Sequence, residues 1–173
     1  WCFDLALGGD AQQLTNREEG VTEFDWSPDG DRIVVASRDP TDEQREYLEE
    51  REDGGPIETT RLQHKFVGVG YTDDVTRYLF VVDVESGVER RLDDAYGGGA
   101  FEPQLGMQPV WGSNDRIAFT SSRVDNPDNT HVRDVYTISP DGTGLRQLTD
   151  SDLSVRVLAW NPSGDRLAFV ARD

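Results

Sequence analysis

A repeated motif constrains this chain more than any other feature. Three segments share the order strand, tight turn, strand, with a tryptophan near the end of the first strand; they cover 23–38, 108–123 and 157–172. In the first copy the turn reads Ser27-Pro28-Asp29-Gly30. Pro28 presets φ for the turn, Asp29 caps it with its carboxylate, and Gly30 supplies the positive φ that such a hairpin requires. A repeat of this kind decides the fold class.

The spacing of the copies identifies that class. A second pair of strands follows each of the first two copies, at 77–92 and at 134–149, so the repeating unit has four strands. Trp111 and Trp160 are 49 residues apart, near the roughly 40 to 50 residues of a propeller blade. We therefore predict an all-β fold, a partial β-propeller of four-stranded antiparallel blades, with about two full blades and half a blade at each end.

The predicted boundaries divide the chain into four parts. We expect 1–15 to supply the outer strands of a blade, 21–93 to form a blade with an acidic insertion at 40–63, 105–150 to form a second blade, and 155–173 to supply inner strands. Within the insertion, Thr41 to Gln44 has the form of a capping box before a charged helix-forming stretch. The insertion is therefore expected to be a short exposed helix or a mobile excursion.

Both ends of the sequence look like cuts, which predicts a fragment of a longer protein. The two half blades are complementary, but three blades are too few to close a ring, since propellers need at least about four. As a hypothesis, the isolated chain either stays open or pairs with a second copy in a strand-exchanged homodimer.

Seven residues are predicted to hold the repeat together. Trp26, Trp111 and Trp160 stand at the same place before each turn, so packing between blades explains them better than a ligand platform. Gly164 is the turn glycine of the third copy, as Gly30 is of the first, beside Pro28 and Asp29. The second copy lacks both the proline and the glycine, so Asn114 is expected to take the left-handed position.

The net charge narrows the class of partner. Against 34 acidic residues stand 17 basic ones, for a formal charge of −17. Such a field repels phosphate backbones, which argues against nucleic acid as a partner. One interpretation is adaptation to salt, since this composition resembles that of haloarchaeal proteins and predicts a high-salt cytoplasm; the other is an acidic surface for a basic ligand. No apolar run approaches the roughly 20 residues that cross a bilayer, so no membrane partner is expected.

Residues with catalytic or metal-binding chemistry are few. A single cysteine, Cys2, excludes an internal disulfide and a multi-cysteine zinc site. No Gly-x-Ser-x-Gly elbow occurs, and surface or hydrogen-bonded roles suit His64 and His131 better than catalysis. The loop at 125–129 offers oxygen ligands but lacks the order of a calcium loop, and the pair Arg90-Arg91 suits local ion pairing. We assign no catalytic, cofactor-binding or metal-binding residue and expect no cofactor.

The repeat resembles a known family. The Trp-Ser-Pro-Asp-Gly turn, the Phe-Val-Val-Asp strand at 80–83 and the closing Leu-Thr at 148–149 resemble the TolB-like β-propeller repeat. The stretch 60–71, running into 79–83 after an acidic helical insert, resembles the amino-terminal propeller of the acylaminoacyl-peptidase and dipeptidyl-peptidase branch of the prolyl oligopeptidase family.

The resemblance implies a function for the longer protein. In that family the propeller caps a carboxy-terminal α/β-hydrolase domain that carries a Ser-Asp-His triad, and the triad has no counterpart here. The resemblance implies that this chain is non-catalytic, that its parent is a serine peptidase, and that these blades gate and scaffold the access of a peptide substrate. The alternative is a TolB-like protein-binding propeller without enzymatic activity.

Overall fold

We analysed a computed structural model, which describes residues 1–150 and 152–172. Its helices are α1 (Asp42–Glu52), α2 (Glu102–Leu105) and one 3-10 turn (Pro127–Asn129). Its strands are β1 (Glu23–Trp26), β2 (Arg32–Arg38), β3 (Lys65–Phe66), β4 (Gly70–Tyr71), β5 (Arg77–Asp83), β6 (Glu89–Tyr96), β7 (Val110–Trp111), β8 (Ile117–Ser121), β9 (Asp134–Ile138), β10 (Arg146–Gln147), β11 (Ser154–Trp160) and β12 (Leu167–Arg172).

The strands form two four-stranded sheets and two hairpins, all antiparallel. The first sheet has the order β1-β2-β5-β6, and the second has β7-β8-β9-β10 in the same succession. We call the pair β11–β12 the terminal hairpin and the pair β3–β4 the insertion hairpin. The predicted antiparallel, mostly β architecture is confirmed, whereas the number of blades stays a prediction.

Strand β2 explains why the sheets stack. Successive side chains of a strand point to opposite faces, and Val34 and Ala36 join a cluster that the second sheet completes with Ile117 and Phe119. The intervening Val35 packs on the other side of the sheet, in a cluster that contains Leu14. Because β2 is apolar on both faces, the first sheet is buried on both sides.

The second sheet is covered in the same way. Its outer face presents Ala118 and Val135, which pack against Val155 and Leu158 of the terminal hairpin. The first sheet, the second sheet and the terminal hairpin therefore lie side by side, and each layer is stabilised by its neighbours. This is the arrangement expected of a repeat that cannot bury both of its faces alone.

The insertion begins as its capping box predicts. The hydroxyl of Thr41 accepts a hydrogen bond from the Gln44 amide at 3.3 Å, and the Gln44 side chain accepts one from the Thr41 amide at 2.9 Å. Both halves of the box are thus formed at the start of α1, where no helix residue is buried. The short exposed helix is confirmed. Neither helix of the described chain combines the length and apolarity needed to cross a bilayer.

The amino-terminal segment departs from the predicted strand pair. Over 1–15 the structure has one isolated bridge, between Cys2 and Gln12, in place of two strands. The Asp4 carboxylate accepts hydrogen bonds from the amides of Ala6 and Leu7, each at 2.8 Å, and such local bonds compete with a strand ladder. At the other end, the predicted inner strands of 155–173 include Asp173, which lies outside the described residues.

The prediction for the second turn is wrong by one residue. Asp115, not Asn114, takes the left-handed conformation, with φ of 54°. The Asn114 side chain is used instead to close the turn, since its oxygen accepts the Arg116 amide at 3.0 Å and its nitrogen donates to the Gly164 carbonyl at 2.6 Å. The first and third turns behave as predicted, with φ of 81° at Gly30 and 72° at Gly164.

The three tryptophans do not share one environment. Trp111 is buried in the cluster between the sheets, and Trp160 is half-buried against the outer face of the second sheet. Trp26 is 39% exposed and belongs to neither of these clusters, which departs from the packing between blades that the repeat predicts for all three. Trp160 also donates its indole N–H to the Val110 carbonyl at 3.2 Å, which links the terminal hairpin to β7.

Candidate functional site

The direction of the strands separates two ends of the molecule. The tight turns at 27–31, 112–116 and 161–166 follow the first strand of each repeat, so they lie together at one end, which we call the turn face. The long connections at 39–76, 97–109 and 122–133 lie at the other end, which we call the loop face. Binding residues concentrate on loops that a rigid scaffold positions, which makes the loop face the candidate site.

An aromatic row joins the three long connections. The ring of Phe66, in the insertion hairpin, meets Phe101 edge-on with centroids 6.0 Å apart. Phe101 in turn stacks on His131 at 4.8 Å. Since each ring comes from a different connection, the row holds the insertion against the loops of the second sheet.

A buried ion pair lies beneath this row. Arg77, at the start of β5, donates to the carboxylate of Glu102 in α2, and both side chains are almost fully buried. Burial raises the pKa of the Glu102 carboxyl, and the Arg77, Arg133 and Arg61 guanidinium groups oppose that shift. The pair anchors α2 because an ion buried without its partner would cost several kcal/mol, about 3–5.

Arg133 is a second buried cation in the same region. Its side chain is 2% exposed and donates to the Gly106 carbonyl and the Thr120 hydroxyl through Nη2. Its Nε and Nη1 have no hydrogen-bond partner among the described residues. Burial lowers the pKa of Arg133; Glu102 and Glu23 oppose the shift and Arg156 adds to it. Arg133 is therefore a buried cation with two of its three guanidinium nitrogens unpaired among the described residues.

A cavity of about 710 Å³ opens on the loop face, lined in part by Val132, the residue before Arg133. One wall is α2 with the residue before it, one is the loop before β9, and one is the terminal hairpin. The lining residues are Phe101, Gln104, Leu105, Thr130, His131, Val132, Asp152, Ser154, Arg156 and Arg172. Within the part of the chain that the structure describes, the cavity lining thus combines apolar walls with three basic side chains, His131, Arg156 and Arg172, and one carboxylate, Asp152.

The first strands of the repeats are tied together by a relay of side-chain acceptors. Glu23 in β1 accepts the amides of Met107 at 2.6 Å and Gln108 at 2.9 Å. Gln108 holds the same repeat position as Glu23 and accepts the Val157 amide through its side-chain oxygen at 2.5 Å. Gln108 and Val157 both have positive φ, of 53° and 54°. The left-handed backbone at this position turns each amide toward the preceding repeat.

The predicted repeat residues lie away from this cavity. Asp29 closes the first turn on the turn face, where it accepts the Ser27 hydroxyl at 2.5 Å and the Asp31 amide at 3.1 Å. The hydrogen bond from Ser27, followed by that from the Asp31 amide, lowers the pKa of the Asp29 carboxyl. Pro28, Gly30 and Gly164 belong to the same kind of turn, so these residues build the scaffold and leave the cavity to others.

The two histidines are surface residues. His64 is exposed, with Nδ1 3.3 Å from the Leu62 carbonyl, and His131 is exposed against Phe101. Of the loop at 125–129, Asp128 pairs with Arg61 at 3.4 Å. Within 1–150 and 152–172 no group of three or more His, Cys, Asp or Glu side chains is placed to hold a metal ion.

Sequence reasoning missed Arg156, Arg172 and the role of Phe101. The ion pairing predicted for Arg90-Arg91 is confirmed for Arg91, which contacts Asp39 and Asp93, each at 2.7 Å, whereas Arg90 forms no ion pair among the described residues. A signal for the missed pair was available, because Arg156 and Arg172 stand in the two adjacent strands predicted for 155–173 and could share one face of that hairpin. The repeat pattern assigns these strands to the propeller scaffold and gives their arginines no further role.

Solved structures decide the fold. The chain matches a putative TolB from Agrobacterium tumefaciens with a TM-score of 0.58 and 21% identity, covering 96% of this chain and 43% of that one. It matches a Pyrococcus horikoshii acylaminoacyl peptidase with a TM-score of 0.61 and 17% identity, covering 89% of this chain and 22% of that one. The fold is that of a β-propeller. At these identities the likeness extends to the propeller architecture and no further.

One curated relative of this propeller chain is a peptidase by name. It is the uncharacterized peptidase YuxL of Bacillus subtilis, 30% identical over 134 residues. The match covers 75% of the propeller chain but 19% of the relative, so the chain spans about a fifth of that protein's length. No family model matches the propeller sequence.

Proposed function

We propose that this chain is a non-catalytic propeller module of a serine peptidase similar to the prolyl oligopeptidases, acting in the cytoplasm. The observation that carries the proposal is the 30% identity to a protein named as a peptidase, over three quarters of this chain. The acylaminoacyl peptidases among the structures of similar fold give it further support. The module would gate and scaffold the approach of a peptide to an α/β-hydrolase domain elsewhere in the longer protein.

The loop face suits such a role physically. It carries the long connections, the aromatic row and the cavity, whereas the turn face consists of tight turns. A peptide that crosses the loop face would meet apolar walls and basic side chains. Rigid packing below, through the buried Arg77–Glu102 pair, would keep these groups in place.

A protein-binding propeller of the TolB kind is the second candidate. The observation that favours it is the match to a putative TolB, which covers 96% of this chain against 89% for the peptidase. In that case the loop face would receive a protein surface, and no hydrolase domain would exist in the parent.

The test is the gene that encodes this chain, read on both sides of the 173 residues and then expressed in full. The peptidase proposal expects a Gly-x-Ser-x-Gly elbow followed by Asp and His, and hydrolysis of N-acyl-peptide anilides by the full protein. The matched control is the elbow serine replaced by alanine, which should abolish hydrolysis while leaving the fold intact. A gene that encodes only further blades would overturn the proposal and favour the TolB-like alternative.

A further inference from the structure

We propose that the cavity on the loop face is a carboxylate-binding site, in which Arg156 and Arg172 hold the carboxylate and His131 stands at the rim. The inference deepens the proposed function by naming the chemical group that this face binds. The inference rests on the proposed function in one respect only, namely that the bound carboxylate belongs to a peptide.

The register of the terminal hairpin brings the two arginines together. Arg156 lies opposite Val170, and Arg172 lies opposite Ser154, two residues further along each strand. Positions related in this way share one face of the hairpin and are diagonal neighbours, with Cα atoms about 7–8 Å apart. Both side chains are exposed and line the cavity, as Ser154 does. Two guanidinium groups at this spacing can converge on one carboxylate.

Arg156 and Arg172 belong to the arginines that form no ion pair within residues 1–150 and 152–172. Nine of the sixteen arginines contact a carboxylate of the described residues within 4.0 Å; these are Arg17, Arg32, Arg38, Arg45, Arg51, Arg61, Arg77, Arg91 and Arg166. Arg156 and Arg172 have no such contact among the described residues. Five further arginines likewise have no carboxylate contact among the described residues, so what distinguishes Arg156 and Arg172 is that they are neighbours that line one cavity; the five are Arg90, Arg116, Arg123, Arg133 and Arg146. Among the described residues, Asp152 is the carboxylate that lines the cavity, and no ion pair joins it to either arginine.

The buried Arg133 adds to the charge of these two arginines. Its neighbour in sequence, Val132, lines the cavity. Its backbone forms an isolated β-bridge with Ser154 of the terminal hairpin. Its electrostatic interaction with Arg156 places the two cations within range of each other. Arg133 keeps Nε and Nη1 unpartnered among the described residues, and its positive charge would favour an anion in the neighbouring cavity.

The walls indicate which anion fits. Arginine forks bind carboxylate oxygens in a bidentate manner, and Phe101, Leu105 and Val132 offer apolar surface beside them. The net charge of −17 works against polyanions at long range. An organic monocarboxylate with an apolar side chain, such as the carboxyl end of a peptide, suits both features, whereas a nucleotide or polyphosphate does not.

The experiment is a titration of the 173-residue chain with N-acetyl-leucine, followed by 1H–15N NMR at about 0.15 M salt, where the Debye length is roughly 8 Å. We expect saturable shifts of the Arg156 and Arg172 Nε–H signals and of the amides at 130–132. N-acetyl-leucinamide, which has no carboxylate, should leave them unchanged. Inorganic phosphate is the second probe; equal or tighter binding of phosphate would show a general anion site and overturn the assignment to a carboxylate.

Charge-removing variants locate the site. The double variant R156Q/R172Q should raise the Kd for N-acetyl-leucine by about tenfold or more, the change that a lost charge-assisted hydrogen bond of about 1.4 kcal/mol produces. R156K/R172K should retain part of the affinity, since the charge stays but the fork is lost. R166Q is the matched control: Arg166 is an exposed arginine at the far end of the terminal hairpin, 4.0 Å from Asp165, and its loss should leave the Kd unchanged.

The outcomes are separable from those of the proposed function. Failure of the wild-type chain to respond to N-acetyl-leucine, or an equal response in R156Q/R172Q with native near-UV circular dichroism, would overturn the carboxylate site. If the double variant loses that dichroism, the comparison of N-acetyl-leucine with its amide on the wild-type chain decides. A carboxylate site in a parent without a serine elbow would leave the site standing and refute the peptidase proposal alone.

Discussion

Glu23 and Gln108 hold the same position in successive repeats, and the carboxylate of the first accepts the backbone amide of the second at 2.9 Å. The same carboxylate accepts the Met107 amide at 2.6 Å. One side chain therefore satisfies two amides of the next repeat at the start of its first strand. Because buried amides left without an acceptor are costly, we expect Glu23 to contribute more to the free energy of unfolding than an exposed carboxylate does.

Replacing Glu23 tests this relay. Glu23→Ala should lower the free energy of unfolding by roughly 2–3 kcal/mol, since two hydrogen bonds to a charged acceptor are lost. Glu23→Gln keeps one acceptor oxygen and should lose about half as much. Urea denaturation measures both, with Glu46→Ala in the exposed face of α1 as the control for loss of a carboxylate. Equal stability of the Glu23 and Glu46 variants would contradict the relay.

Val157 should be improved by glycine. Its φ of 54° is strained for a β-branched residue, and its side chain is 62% exposed, so little packing is lost on truncation. Val157→Gly should raise the free energy of unfolding by about 1 kcal/mol, because the relief of left-handed strain exceeds the entropy cost of glycine. Val157→Ala keeps most of the strain and serves as control. A thermal midpoint no higher in the glycine variant than in the alanine variant would refute the strain argument.

Asp39 should make the stability depend on pH. Burial opposes its ionisation, but hydrogen bonds from Arg91 and Arg17 outweigh burial and lower the pKa of the carboxyl. A carboxyl whose pKa is depressed in the folded state stabilises that state above its unfolded pKa of about 3.9 and loses the contribution as the pH falls through the folded value.

We therefore expect Asp39→Asn to unfold about 1 kcal/mol more easily than the wild type at pH 7, and the two proteins to converge at pH 2–3. Urea midpoints at both pH values measure the difference. Asp10→Asn provides the control, since Asp10 is exposed and makes no ion pair within the described chain. A difference that persists at the lowest pH would mean that the asparagine acts through packing instead of charge.

The buried pair Arg77–Glu102 should show strong coupling. Glu102→Gln leaves Arg77 buried without its counter-ion and should cost about 3–5 kcal/mol. The double variant Arg77→Met/Glu102→Leu removes both charges and should cost less than the sum of the two single changes. A double-mutant cycle from urea denaturation measures the coupling. Additive losses would show that the two side chains contribute to stability independently.

Salt is expected to stabilise this chain. At a net charge of −17, self-repulsion in dilute buffer works against the compact state, and at 1 M salt the Debye length falls to about 3 Å. The urea midpoint should therefore rise steadily between 0.1 and 2 M KCl. Neutralising three exposed α1 carboxylates, in Glu46→Gln/Glu49→Gln/Glu50→Gln, should flatten that rise. If the urea midpoint of the neutralised variant rose with salt as much as that of the wild type, the stabilisation by salt would not come from surface charge.

Local chemistry made much of the fold predictable. The turn at Ser27 to Gly30 and the capping box at Thr41 and Gln44 are each decided by neighbours in sequence, and both form as expected. The prediction failed at the second turn, where either Asn114 or Asp115 could take the left-handed conformation. The Asn114 side chain closes the turn, and Asp115 adopts the left-handed backbone.

The candidate site was less accessible to sequence reasoning. Phe66, Phe101 and His131 are far apart in the chain and meet only because three connections share one end of the sheets. Trp26 followed the same sequence pattern as Trp111 yet is exposed, since burial depends on which sheet covers that face. Such properties belong to tertiary packing, and no spacing along the chain encodes them.

The acceptor relay from Glu23 to Gln108 to Val157 has a consequence for assembly. Each contact runs from one repeat to the following one and is not reciprocated, so it is heterologous in the sense used for subunit interfaces. Neighbours joined in this manner are related by rotation about a common axis, as in a ring, and never by a twofold axis between them. A further neighbour that repeated this relay at the first sheet, whether from the same chain or another, would approach head to tail.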